Sequence, residues 1–296
     1  MVKVGLLGGS GVVGQTYQTL IENHPNFDLV FLPDREEIKN VDQATGCELI
    51  FSALPSAVAQ EVDPLYAEAG FPVFSSASCH RMERDIPLII PEINAHHFEW
   101  IFKQQERRGW KGFIVAKPNC TLQGMILPLF PLHERFGLQG ISVTYLQARS
   151  GAGRGFTLED NILPYIEGEE EKSVRETRKI LGDEALAISV QSFRVPVPHG
   201  HVASVSAQFK KKPTLAEVRE LWEAFAPIHY LEEENRPQPA LDLQEGMQIA
   251  VGRLRSCPLM DIRFVSLSHN LVRGAAGGGI LTADYWRKYV RAPASV

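Results

Sequence analysis

The sequence predicts an α/β protein built on a doubly wound parallel sheet, on three observations. Apolar runs of strand length alternate with helix-length stretches, the pattern of repeated strand–helix–strand units. A glycine-rich turn, Gly8-Gly9-Ser10-Gly11-Val12-Val13-Gly14, joins the first apolar run to the first helical stretch. Hydroxyl residues, Ser52 and Ser75-Ser76-Ala77-Ser78, close two later apolar runs, and open parallel sheets bind ligands at the C-terminal ends of their strands. The 296 residues suffice for one large domain or two moderate ones with a sizeable core.

Residues 2–7 read as the first strand, and Gln15 to Asn23 as the helix after the turn. Gly8, Gly11 and Gly14 follow a G-x-x-G-x-x-G spacing, a variant of the Rossmann-type dinucleotide fingerprint. The first glycine permits a tight turn, and the later ones admit a pyrophosphate and pack the helix on the sheet. Unpaired N–H groups at the helix start then face the phosphates. A second strand, Phe27 to Leu32, ends at Pro33-Asp34-Arg35. Asp34 stands 20 residues past Gly14, where an acid grips the ribose hydroxyls of NAD, while Arg35 suits the 2'-phosphate of NADP. The two point to opposite cofactors, and a solvated loop of charges is an equal reading. Glu48 to Ala53 is the next strand, Ala57 to about Ala69 a helix, and Phe71 to Phe74 and Leu88 to Ile90 two further strands.

Cys120 follows Lys117-Pro118-Asn119 and precedes Thr121 and an apolar helical stretch to about Phe136. A thiol at a helix start feels the positive end of the dipole, which favours thiolate, the form that attacks carbonyls. A buried structural cysteine is the alternative. Gly140 to Gln147 alternates as a strand and ends in a second glycine-rich turn, Ser150 to Gly153. Gly168 to Leu181 is a charged helix whose default is a solvated face. Residues 194–201 read Arg-Val-Pro-Val-Pro-His-Gly-His and open an alternating strand to Phe209. Asp261 to Leu267 is a further strand, and Asn270 to Leu281 opens a last helix to about Val290.

Net charge is -5 and the isoelectric point about 6.0, without the clustered Lys and Arg of a nucleic-acid surface. None of the four cysteines forms a C-x-x-C pair, so no metal site is expected. No apolar run reaches the roughly 18 residues of a membrane span, and the N-terminus lacks a leader pattern. The expectation is a cytoplasmic protein with reduced thiols.

Several runs agree on one family. Gly8 to Gly14, Phe51 to Ser56, Arg81-Met82 with Pro87 to Glu92, Lys117 to Cys120, Ser150 to Gly153, Gly168 to Lys172, Arg194 to His201 and Asn270 to Leu281 together resemble aspartate-β-semialdehyde dehydrogenase, in a short variant of its archaeal-type branch. The resemblance implies a Rossmann-type NAD(P)-binding domain over 1–120 and 271–296. It implies a second, α+β catalytic and dimerisation domain over 121–270, with a mixed or antiparallel sheet, in a homodimer or homotetramer.

It also implies roles. Cys120 matches the nucleophile, His201 the acid/base, and Gln147 the residue that orients substrate. Arg194 and Glu169 match the clamps on an amino-acid carboxylate and ammonium, and Arg81, Asn119 and Lys172 the phosphate site. Cofactor contacts are implied at Gly8, Ser10, Gly11, Val12, Val13, Gly14, Arg35, Ser52, Pro55, Ser150, Gly151 and Asn270. His199 rivals His201, and Glu170 and Glu171 rival Glu169. The reaction implied is NADP-dependent, reversible reduction of aspartyl phosphate to the semialdehyde through a Cys thioester, on the aspartate route to lysine or diaminopimelate, threonine and methionine. The loop from Arg35 to Glu48 is short for the family, which keeps NAD open beside NADP. A malonyl-CoA reductase on the same scaffold is the alternative enzyme, and a silent dinucleotide-binding protein the non-enzyme reading.

Overall fold

The computed structural model describes residues 1–243 and 246–291. The chain divides into two compact units: residues 1–118 with the chain from Ala275 onward, and Asn119–Gly274. The sequence places the divisions at 120/121 and 270/271, and residues 292–296 of that expectation lie outside the described residues. Asn119 and Cys120 cluster with the second unit because Asn119 bonds Glu176 and Glu169 there. Residues 271–274 join them because Arg273 bonds Gln123 and Gly274 lies against Cys120.

The first unit is a five-stranded parallel sheet: β1 (Val2–Leu7), β2 (Phe27–Phe31), β3 (Leu49–Ser52), β4 (Pro72–Ser75) and β5 (Phe113–Ala116), in the order β2-β1-β3-β4-β5. Helices α1 (Val12–Glu22), α2 (Ser56–Ala69), the one-turn α3 (Pro91–Asn94) and α4 (Trp100–Arg108) connect the strands. The order reverses between β1 and β3, the switch point where doubly wound sheets hold ligands. Helix α1 begins at Val12, three residues before the expected Gln15, because Gly11 is its N-cap. Leu88 to Ile90 is no strand. It runs extended with a single bridge from Leu88 to Ala116, and β5, which the sequence reading did not resolve, takes the sheet position beside β4.

The chain's last helix, Gly277–Trp286, returns to this sheet. Ile280, Ala283 and Trp286 join Tyr17, Phe27, Phe51, Phe74 and Phe113 in one core. Each fully buried large side chain contributes roughly 1.5–3 kcal/mol, so these aromatics dominate the unit's stability. Tyr17 fixes the helix closely: a Cβ on Gly279 would stand 1.9 Å from its hydroxyl.

The second unit is a six-stranded mixed sheet of β6 (Leu138–Gln147), β7 (Ala187–Arg194), β8 (His201–Phe209), β9 (Ile228–Leu231), β10 (Ile249–Ser256) and β11 (Ile262–Ser268), in the order β7-β6-β8-β11-β10-β9. Its central pairs are antiparallel and its two outer pairs parallel. Helix α5 (Leu122–Phe136) packs on β8 and β11, α6 (Glu169–Leu181) on β7, and α7 (Leu215–Ala224) on β9. Strand β8 alternates, with Ala203, Val205 and Ala207 buried and Ser204 and Gln208 exposed, so one face of the sheet is packed and the other open. Pro128 inside α5 has no N–H for the Gly124 carbonyl, and Ser266 Oγ on β11 donates to that carbonyl instead at 2.6 Å. Among the described residues no helix is long and apolar enough to cross a membrane.

Candidate active site

Cys120 stands just before Thr121, the N-cap of α5. Its position is fixed from both sides. On one side, Asn119 donates its main-chain N–H to Glu176 Oε2 at 2.7 Å and its Nδ2 to Glu169 Oε2 at 2.9 Å. The Asn119 Oδ1 accepts from the Thr121 N–H and Oγ1, a local side-chain turn that starts the helix. On the other side Gly274 presses its bare Cα onto Cys120, where a Cβ would come within 2.9 Å of the Cys120 Cβ and carbonyl oxygen.

Of the two imidazoles that open β8, His201 is the one at Cys120: its Nε2 lies 3.3 Å from Sγ. His199 stacks on His269 instead. His201 is buried, and its Nδ1 accepts the Ala148 N–H at 3.0 Å. Burial first, then the Arg194 guanidinium and His269, push its pKa down to about 3, so the ring is neutral. Burial lowers His269 too, with His199 adding to it.

Gln147 and Arg194 end β6 and β7 and are register partners. Arg194 is 6% exposed and donates from Nη1 to the Ala148 carbonyl at 2.8 Å. Burial pushes its guanidinium below the usual range, against the pull of Cys120 and Glu169. Glu169 is the hub of the opposite wall: Asn119 and Gln147 donate to Oε2, and Lys172 to Oε1 at 3.2 Å. Glu170 instead accepts the Ser192 N–H, and Glu171 is exposed.

Gly151 lies in this same cluster, since a Cβ there would meet Arg194 Nη1 at 2.6 Å and His201 at 3.0 Å. Asn270 ties two loops, accepting the Gly200 N–H and donating to Ser150 Oγ. The second unit therefore gathers a thiol, an imidazole, a guanidinium, an amide and a carboxylate–ammonium pair. That set suits nucleophilic attack on a small anionic carbonyl compound.

The first unit holds a cavity of about 670 Å³ at its switch point, lined by Gly8, Ser10, Gly11, Asp34, Arg35 and Pro55 among others. Gly8 has φ +80, and a Cβ on Gly14 would stand 2.2 Å from the Gly8 carbonyl. These two glycines meet the tight-turn and close-packing requirements of a dinucleotide turn. Val12 and Val13 form the first turn of α1 behind it. Ser52 is fully buried, and its hydroxyl has no hydrogen-bond partner among the described residues. Arg81 lies in this unit, buried, with Nη2 donating to the Ser76 carbonyl.

Sequence reasoning missed Glu176, the Ala148 main chain and Gly274. Glu176 had a signal. Ser173, Glu176, Thr177 and Ile180 are the buried residues of α6, a helical stripe within what reads as a solvated run. The other two act through backbone position, which side-chain chemistry does not reveal.

Comparison with known proteins bears on the same regions. A family model described as "Semialdehyde dehydrogenase, NAD binding domain" matches residues 34–101, and one described as "Semialdehyde dehydrogenase, dimerisation domain" matches 129–273. The chain is 36% identical to an aspartate-semialdehyde dehydrogenase of Archaeoglobus fulgidus, covering 95% of this chain and 97% of that one. That alignment spans 333 positions against 296 residues here, so the relative carries segments that this chain lacks. A malonyl-CoA reductase (NADP) of Metallosphaera sedula is 33% identical over 96% of each chain. Among solved structures, aspartate semialdehyde dehydrogenase with NADP from Candida albicans superposes with a TM-score of 0.85, at 32% identity, covering 97% of this chain and 99% of that one.

Proposed function

From the premise that this chain belongs to the aspartate-semialdehyde dehydrogenase family, we propose that it interconverts L-aspartyl-4-phosphate and L-aspartate-4-semialdehyde plus phosphate, with NADP, in amino-acid biosynthesis. The observation that carries the reading is the 3.3 Å approach of Cys120 Sγ to His201 Nε2, flanked by Arg194 and Glu169. Cys120 as thiolate forms the bond to the substrate carbonyl carbon, giving a thioester on the sulfur in the course of the reaction. His201 stands beside that sulfur. The Arg194 fork suits the planar α-carboxylate, and the Glu169 carboxylate suits the ammonium. Gln147 orients the substrate between them, and Lys172, Asn119 and Arg81 serve the phosphate. Gly8, Ser10, Gly11, Gly14, Arg35 and Pro55 hold the dinucleotide, which when bound supplies the hydride acceptor or donor. The orphaned Ser52 hydroxyl and the glycine turn fit such a group. Arg35 on the cavity wall favours NADP.

The first unit thus serves the cofactor and the second the chemistry, with pairing into a homodimer or homotetramer through the open face of the mixed sheet. The matched dimerisation domain supports the pairing. The expected compartment is the cytoplasm. The test is NADPH formation from aspartate semialdehyde. A rate that rises from near zero with added phosphate is expected, and a rate indifferent to phosphate contradicts the reading. The 33%-identical malonyl-CoA reductase makes a thioester reductase the second reading. It needs no ammonium clamp, so the Glu169 hub favours the amino-acid substrate, and a CoA-dependent assay separates the two.

A further inference from the structure

The two nitrogens of the His201 ring have neighbours of different character. Nδ1 faces the Ala148 N–H at 3.0 Å. A main-chain N–H only donates, so Nδ1 must present its lone pair. A neutral imidazole carries one proton, which therefore sits on Nε2, the nitrogen 3.3 Å from Cys120 Sγ. To accept the thiol proton, Nε2 would need a free lone pair. Neutral, that places a proton on Nδ1, pointing at the Ala148 N–H. Charged, it keeps that clash and adds a buried cation.

The groups facing the ring are Cys120 from the start of α5, Arg194 from the end of β7 and His269 just past β11. Arg194 and His269 oppose an imidazolium, and neither ring nitrogen is bonded to a carboxylate. Gly151 is what lets this crowding exist: a Cβ there would meet both the Arg194 guanidinium and the His201 ring.

We propose that the Ala148 main chain locks His201 as the neutral Nε2–H tautomer, so that it serves as a fixed hydrogen-bond donor to sulfur and oxyanion and not as the base that deprotonates Cys120. This deepens the proposed function and rests on its nucleophile, and it departs from the acid/base role that the family resemblance implies. The reaction balances without a proton moving on or off the ring. The thiol proton leaves to solvent. The thiolate adds to the aldehyde carbon, forming the C–S bond and leaving the charge on oxygen, which Nε2–H stabilises. The C–H electron pair leaves as hydride to the oxidised nicotinamide, and the C–O bond becomes the thioester carbonyl. A hydrogenphosphate oxygen then attacks that carbon, the C–S bond breaks, the thiolate returns, and the phosphate proton goes to solvent. Ala148 and Gly151 are positioning residues in this scheme.

The test is 15N NMR of the full chain labelled at histidine, with the His201 signals assigned by loss in H201Q. A protonated Nε2 and an unprotonated Nδ1 are expected from pH 6 to pH 9. A proton on Nδ1, or a doubly protonated ring near neutral pH, overturns the proposal. The second arm compares H201A with H201Q, because glutamine brings an N–H donor and no basic site. H201A should lose about 10²–10³-fold in kcat, the cost of one oxyanion donor, and H201Q should recover about tenfold or more of it. An H201Q as slow as H201A overturns the proposal. The NMR arm needs no turnover, so it judges the tautomer even where the phosphate assay rejects the activity.

Discussion

Gly274→Ala tests how tightly the nucleophile is held. The added methyl would stand 2.9 Å from the Cys120 Cβ and carbonyl oxygen and 3.0 Å from its Cα, where ordinary contacts begin at 3.4 Å. Relief therefore needs about half an ångström of movement, by the arithmetic of van der Waals contact. Two of those three atoms are main chain and cannot rotate away. The remaining main-chain bond, from the Gly274 N–H to the His269 carbonyl, is available to alanine too. The movement thus falls on Cys120 itself and alters its 3.3 Å approach to His201. A misplacement of about 1 Å costs on the order of 10²-fold, so half of that should lower kcat by about tenfold. Overpacking should cost about 1–3 kcal/mol of stability. The assay pairs phosphate-dependent NADPH formation with site-resolved alkylation by peptide mass spectrometry. Site resolution matters: burial pushes the Cys47 and Cys79 thiols up to about 11, whereas for Cys257 the effect of burial is outweighed by the Leu259 and Met260 N–H groups and its pKa falls. A G274A enzyme within twofold of wild type in both turnover and Cys120 alkylation refutes the packing argument.

Three further outcomes follow from separate parts of the molecule. Burial lowers the pKa of His80, but hydrogen bonds to Asp63 and Glu83 outweigh it and raise the group to about 9. Its Nε2 lies 3.2 Å from Asp63 Oδ2 in poor hydrogen-bond alignment, so that pairing is chiefly ionic, while Nδ1 meets Glu83 at 2.7 Å. Because the folded value exceeds the unfolded one, the contribution is full below about pH 6.5 and is lost as pH rises through about 9. The melting temperature of wild type should fall over that interval more than that of H80Q, and parallel curves contradict this. Ser266→Ala removes the donor to the Gly124 carbonyl that Pro128 leaves free, and should cost about 1–3 kcal/mol in urea unfolding; no change would mean that water replaces it freely. Glu169→Gln should raise KM for aspartate semialdehyde about tenfold while narrowing the preference over its deaminated analogue, as loss of a charge-assisted contact implies, and an unchanged preference removes Glu169 as the ammonium clamp.

The glycine turn and the strand–helix alternation were legible because both are local: Gly8 and Gly14 sit where backbone approach admits no Cβ. Leu88 to Ile90 misled because an apolar run marks burial as readily as pairing. The run is buried and bridges only at Leu88, while Phe113–Ala116, just as short, takes the sheet position. Strands β7, β9 and β10 went unread, although β7 alternates in sequence. At the site, Cys120 and Arg194 declared themselves by residue type and neighbours. Choosing His201 over His199, or Glu169 over Glu170, needed the strand register and helix face that only the fold supplies. Ala148 and Gly274 act through N–H and the lack of a Cβ, which composition does not encode.

The central claim is a covalent bond at Cys120, and trapping it is the direct measurement. The full chain is incubated with oxidised NADP and aspartate semialdehyde without phosphate, quenched in acid and mapped by peptide mass spectrometry. The account predicts an aspartyl thioester on the peptide bearing Cys120, discharged when phosphate is added before the quench. Normal turnover in a C120A enzyme, or an acyl group found only on another residue, would contradict it.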